Sequence, residues 1–106
     1  MNGTLTIKKS FIERLNTNLW SSSVEFDDGT KPIHLAKYGG QGNYQSSVSS
    51  LEGCLGAVLI HLTDRNKTVT TLTVKLPEGV TLSAAYKTQV TTKYTADGTI
   101  GAITFA

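Results

Sequence analysis

The sequence predicts an all-β fold: an antiparallel sheet of about six to seven strands with little or no helix. Apolar and polar residues alternate with period two over several short segments. Sixteen threonines favour extended backbone, and helix formers do not occur in long runs. Asp28-Gly29, Pro77-Glu78-Gly79 and Asp97-Gly98 punctuate the chain as turns. At 106 residues the chain is one domain, residues 1–106, able to bury a single modest core.

The elements follow in order. Leu5 and Ile7 alternate with Thr4, Thr6 and Lys8 as a first strand. Lys8 to Leu15 is the one stretch with a helical reading. Leu19 to Phe26 is a strand that ends at Asp28-Gly29, and Ile33 to Tyr38 is a short strand after Pro32. Gly39-Gly40-Gln41-Gly42-Asn43 is a loop by composition, and Tyr44 to Ser50 is polar and ambiguous. Leu55 to Thr63 is an apolar run of strand length, and Asp64-Arg65-Asn66-Lys67 is a polar turn. Thr68 to Leu76, Tyr86 to Tyr94 and Ile100 to Phe105 complete the set of strands.

Composition narrows the function classes. Ten basic against eight acidic residues neither demand nor exclude nucleic acid; what matters is whether the basic residues share a face. A single cysteine, Cys54, allows no internal disulfide, and its neighbours Leu55 and Ala57 predict a small buried residue. Met1-Asn2-Gly3-Thr4 has no apolar signal core, and no apolar run approaches the roughly 18 residues of a membrane span. The expectation is a soluble chain made in a cytoplasm. The glycosylation triplets Asn2-Gly3-Thr4 and Asn66-Lys67-Thr68 are then chance matches.

Catalytic chemistry has thin candidates. His34 and His61 are the only histidines and no motif surrounds either. Asp27 and Asp28 sit in a turn signal. No nucleophile elbow, zinc-protease helix or phosphate loop occurs. One cysteine and two distant histidines do not supply about four metal ligands. The reading is a non-enzyme with no cofactor, no metal site and no catalytic residue.

The predicted central hairpin is the informative feature. It places Val58, Ile60 and Leu62 on one face with Leu72, Val74 and Leu76. The opposite face carries Leu59, His61, Thr63, Thr71, Thr73 and Lys75, continued by Tyr86, Thr88, Thr92 and Tyr94. A sheet face with hydroxyls, a lysine and aromatic rings can bind single-stranded RNA, and it can equally be a solvated antiparallel face. The apolar face has no predicted helix to cover it. It must be covered by a second sheet or by another copy of the chain.

Leu59-Ile60-His61-Leu62-Thr63-Asp64-Arg65-Asn66-Lys67, followed by Thr71-Leu72-Thr73-Val74-Lys75-Leu76-Pro77, resembles the coat proteins of single-stranded RNA bacteriophages. Ala85-Tyr86-Lys87-Thr88-Gln89-Val90-Thr91-Thr92 is similar to a following strand of that family. The resemblance implies a virion capsid protein that dimerises, assembles into a shell and binds genomic RNA on an interior sheet face. The implied RNA-binding residues are His61, Thr63, Thr71, Thr73, Lys75, Tyr86 and Thr88. The family's two C-terminal helices have no counterpart here, because Asp97-Gly98-Thr99-Ile100-Gly101 is a hairpin signal. A second pattern, Glu52-Gly53, Asp64-x-Asn66, Pro77-x-Gly79, Tyr94 and Asp97-Gly98-x-Ile100-Gly101-x-Ile103, is similar to the aegerolysins, β-sandwich proteins that bind membrane lipids. Their tryptophan-rich stretch is absent, since Trp20 is the only tryptophan.

Overall fold

The computed structural model describes the backbone of residues 1–39 and 43–106 and the side chains of 1–34 and 51–106. The loop read at Gly40-Gln41-Gly42 lies outside the described residues. The chain runs β1 (Asn2–Ile12), a 3-10 turn (Glu13–Leu15), β2 (Thr17–Phe26), β3 (Ile33–Gly39), α1 (Asn43–Asp64), β4 (Val69–Lys75), α2 (Ala84–Thr95) and β5 (Ile100–Phe105). The strands form one sheet in the order β3-β2-β1-β4-β5.

Sheet dominance was legible in the sequence; the antiparallel arrangement, the strand count and the lack of helix were not. The sheet has five strands and is mixed. β1–β2 and β2–β3 pair antiparallel, while β1–β4 and β4–β5 pair parallel. Lys8 to Leu15, read as helical, continues β1 into a single 3-10 turn. Asn16 adopts the left-handed region there, at φ 48°, and lets the chain reverse into β2.

The expected strand over Leu55 to Thr63 is the C-terminal half of α1. Leu51, Cys54, Leu55, Val58 and Leu62 are all fully buried. That spacing of three and four residues is one helical face, and Ile60, expected beside Val58 and Leu62, is 64% exposed. The expected strand over Tyr86 to Tyr94 is α2. Its start is fixed by Ser83, whose hydroxyl accepts the Tyr86 N–H at 3.1 Å. Its threonines turn their hydroxyls back on the helix: Thr88 donates to Ala84 O, Thr92 to Thr88 O and Thr95 to Thr91 O. The central hairpin therefore does not form. Its two arms are a helix and a strand in different layers.

Connection geometry decides where the helices lie. β3 and β4 run parallel, and the α1 crossover between them passes over β2 and β1. The α2 crossover joins β4 to β5 and moves across the sheet in the same direction. Parallel crossovers are right-handed, so two that move in the same direction place both helices on one face. Leu5, Ile7, Trp20, Val24, Ile33, Leu72, Val74 and Ile103 point to that face and form one cluster with Leu51, Leu55, Val58, Leu62 and Val90 of the helices. Each such Leu, Ile or Val is worth about 1.5–3 kcal/mol when withdrawn from water. The apolar face is thus covered by the chain's own helices and needs no second copy. Cys54 is buried in this cluster as expected, and burial pushes its thiol up to about 11, partly offset by a hydrogen bond with Ser22.

Candidate functional site

Strand alternation sends the remaining side chains to the opposite face. Thr4, Thr6 and Lys8 of β1, Ser21, Ser23 and Glu25 of β2, His34 of β3, Thr71, Thr73 and Lys75 of β4 and Thr104 of β5 are all solvent-accessible. No described element packs over them.

Register arranges these residues in rows. Lys75 pairs with Thr6, Thr6 with Ser23, and Ser23 with His34. One ammonium, two hydroxyls and one imidazole thus cross four strands in a line of about 14 Å at the usual strand spacing. The next row runs Thr104, Thr73, Thr4 and Glu25. Thr104 Oγ1 donates to Thr73 Oγ1 at 3.3 Å within it. Lys8 stands two residues beyond Thr6 on the same face.

A shallow hollow of about 520 Å³ lies against Thr6, Lys8, Ser21, Ser22, Ser23, Glu25 and His34. A second, of about 330 Å³, continues towards Asn2, Thr4, Glu25, Phe26 and Asp27. Glu25 borders both. Lys8, Lys75 and Glu25 make no ion pair among the described residues. The described side chains of this face therefore include hydroxyls that can donate or accept, and two ammonium groups and one carboxylate without an ion-pair partner among the described residues.

The seven residues expected on one RNA-binding face divide between two layers. Thr71, Thr73 and Lys75 lie together on the open face. His61 and Thr63 are exposed on the last turn of α1, and Tyr86 and Thr88 sit on α2, across the sheet. Arg65 Nη1 lies 3.0 Å from His61 Nδ1 and donates to the His61 carbonyl at 3.1 Å. Arginine has no acceptor, so this imidazole nitrogen accepts.

Tyr86, expected on the RNA-binding face, donates its hydroxyl to Glu52 Oε2 at 2.9 Å. Tyr94 Oη donates to Glu52 Oε1 at 3.0 Å, and Lys93 Nζ to the same oxygen at 3.2 Å. Burial pushes the Glu52 carboxyl up, but these three donors outweigh it and hold it below its ordinary value. The Tyr94 hydroxyl is pushed up by burial and by its bond to Glu52. One carboxylate thus ties α1 to α2, and the small hollow of about 130 Å³ beside it is part of that joint.

Thr4, Thr6, Lys8, Ser21, Ser23 and Glu25 were missed as site residues. Their signal was available in the polar phase of the first two strands, opposite Leu5, Ile7 and Val24. Among the described residues no group of three or more His, Cys, Asp or Glu side chains could hold a metal ion. No described helix is long and apolar enough to cross a membrane. No protein-family model matches the chain, and neither a curated protein nor a solved structure matches it.

Proposed function

We propose that the chain is a non-catalytic binding module that engages single-stranded RNA on the open face of its sheet. The observation that carries this is the row Lys75–Thr6–Ser23–His34 with Lys8 beside it, on a face that no described element covers. Lysines supply the salt-dependent phosphate attraction, and a line of hydroxyls supplies contacts to sugar and phosphate oxygens. The sheet's crossovers all move in one direction, so the strand ends offer no switch-point crevice. The open face is where an extended ligand fits. Role by role, this keeps the RNA-binding part of the coat-protein reading, with Thr71, Thr73 and Lys75 as its shared residues.

The test is fluorescence anisotropy of a labelled single-stranded RNA titrated with the protein, from about 50 to 200 mM salt. Binding that weakens steeply across that range supports the reading. No binding at the low-salt end would end it.

A further inference from the structure

The helices roof one face of the sheet and leave its edges bare, and the edges differ. An edge strand presents unpaired N–H and C=O groups that another strand can complete, and proteins blunt such edges with lysine or proline. β3, at one edge, follows Lys31-Pro32 and carries His34 and Lys37 in its sequence. β1 runs on past Thr6, where its pairing with β4 stops, and carries Lys8 and Lys9 there. β5, at the other edge, has neither device: Ile100–Phe105 contains no charge and no proline.

The pairing of β5 shows which of its groups are open. The Ala106 N–H donates to the Val74 carbonyl of β4 at 2.9 Å. Alternation therefore turns the N–H and C=O of Ile103 and Phe105 away from β4. These groups have no hydrogen-bond partner among the described residues.

The side chains fit a copy of the same strand. A two-fold axis through Ile103, perpendicular to the sheet, sets β5 antiparallel to itself and keeps the same face up in both copies. Ile103 then meets the second copy's Ile103. Phe105 meets the second copy's Gly101, which has no side chain to obstruct the ring. On the open face Ala102 meets the second copy's Thr104, and no like charges face each other. An edge without charge offers an acidic or basic segment nothing to recognise, whereas the same uncharged strand completes it.

We propose that β5 is a homodimer edge, through which two copies of the chain join antiparallel over Ile100–Phe105 into one continuous sheet. The pairing uses the β5 edge of each copy, so it closes at two, and it sets the two open faces side by side as one surface. It stands apart from the proposed RNA binding and does not require it.

The experiment is light scattering on the full chain, freed of nucleic acid, over a dilution series from about 1 to 100 μM. The expected mass at the high end is twice the 11.4 kDa of one chain. Amide exchange at Ile103 and Phe105 should slow as the dimer forms. Ala102→Lys puts a charge on the edge at an exposed position and should return the mass to that of one chain. Thr4→Lys puts the same charge on the same face of the inner strand β1 and should leave the dimer intact. Circular dichroism checks that the variants fold, and Thr104→Lys replaces Ala102→Lys if that chain does not. A parent chain that stays at the mass of one copy throughout, or grows past two, would overturn the proposal. So would a dimer that survives the edge lysine, one that Thr4→Lys also breaks, or one in which Ile103 and Phe105 exchange at the same rate at every concentration.

Discussion

The two faces of this sheet are made by the same five strands and do opposite work. On β4, Leu72 and Val74 point under the helices and are fully buried, while Thr71, Thr73 and Lys75 point the other way into solvent. On β2, Trp20 and Val24 go under, while Ser21, Ser23 and Glu25 stay out. Period two sorts the residues, but crossover direction determines that one face is roofed and the other bare. Stability resides in the first face and the proposed binding in the second. The comparison is sharpest when a change on one face leaves the other unaffected.

The largest effect belongs to the covered face. Leu72→Ala should cost about 2–5 kcal/mol, because it opens a cavity under the helices. Thr73→Ala, one residue on, should stay within about 0.5 kcal/mol. Urea denaturation of the two variants checks this, and equal losses would mean that the faces are wrongly assigned.

Two glycines sharpen the same contrast between packed and open sites. A Cβ on Gly101 would stand 2.7 Å from the backbone carbonyl oxygen of Thr70, where β5 meets β4. Gly101→Ala should therefore destabilise by about 1–3 kcal/mol. Gly53 lies in α1 with nothing within 4 Å of an added Cβ, so Gly53→Ala should stabilise by about 0.5–1 kcal/mol. Thermal melts give both signs.

The helix layer should respond to acid through Glu52. Its carboxyl is held below the ordinary value of 4.5 in the folded chain, so its contribution is complete above the unfolded pKa. That contribution is lost as pH falls through the folded value. Glu52→Gln should cost about 1 kcal/mol at neutral pH, and the gap to the parent chain should close as pH falls from about 7 to 3. A gap that stays constant would show that the bonds from Tyr86, Lys93 and Tyr94 do not depend on the charge.

The sequence was most legible where strands are local. Leu5 and Ile7, Leu19 to Phe26 and Ile33 to Tyr38 pair with chain neighbours through short turns, and alternation alone finds them. The helices were hidden by two different effects. In α2 threonine dominates, and its preference for strands is overridden by the Ser83 cap and by hydroxyls bonded to the preceding turn. In α1 the residues from Leu55 onward, with Val58, Ile60 and Leu62 alternating, fit a strand face by themselves. Beginning at Leu51 would have exposed the three-and-four spacing of Leu51, Cys54, Leu55, Val58 and Leu62. Part of the site followed the same division. Thr71, Thr73 and Lys75 share a face, as expected, because β4 is a strand; His61, Thr63, Tyr86 and Thr88 do not join them, because the elements that carry them are helices.

The salt dependence of RNA binding, measured on the parent chain and on two lysine variants, tests the two-face account most directly. Lys75 stands on the open face, and Lys87 stands in the helix layer, 5.3 Å from the Phe105 ring. The account predicts that Lys75→Ala lowers the slope of log affinity against log salt by about 0.7, one single-strand phosphate, and that Lys87→Ala leaves it unchanged. Identical slopes for both variants, or a loss confined to Lys87→Ala, would contradict it.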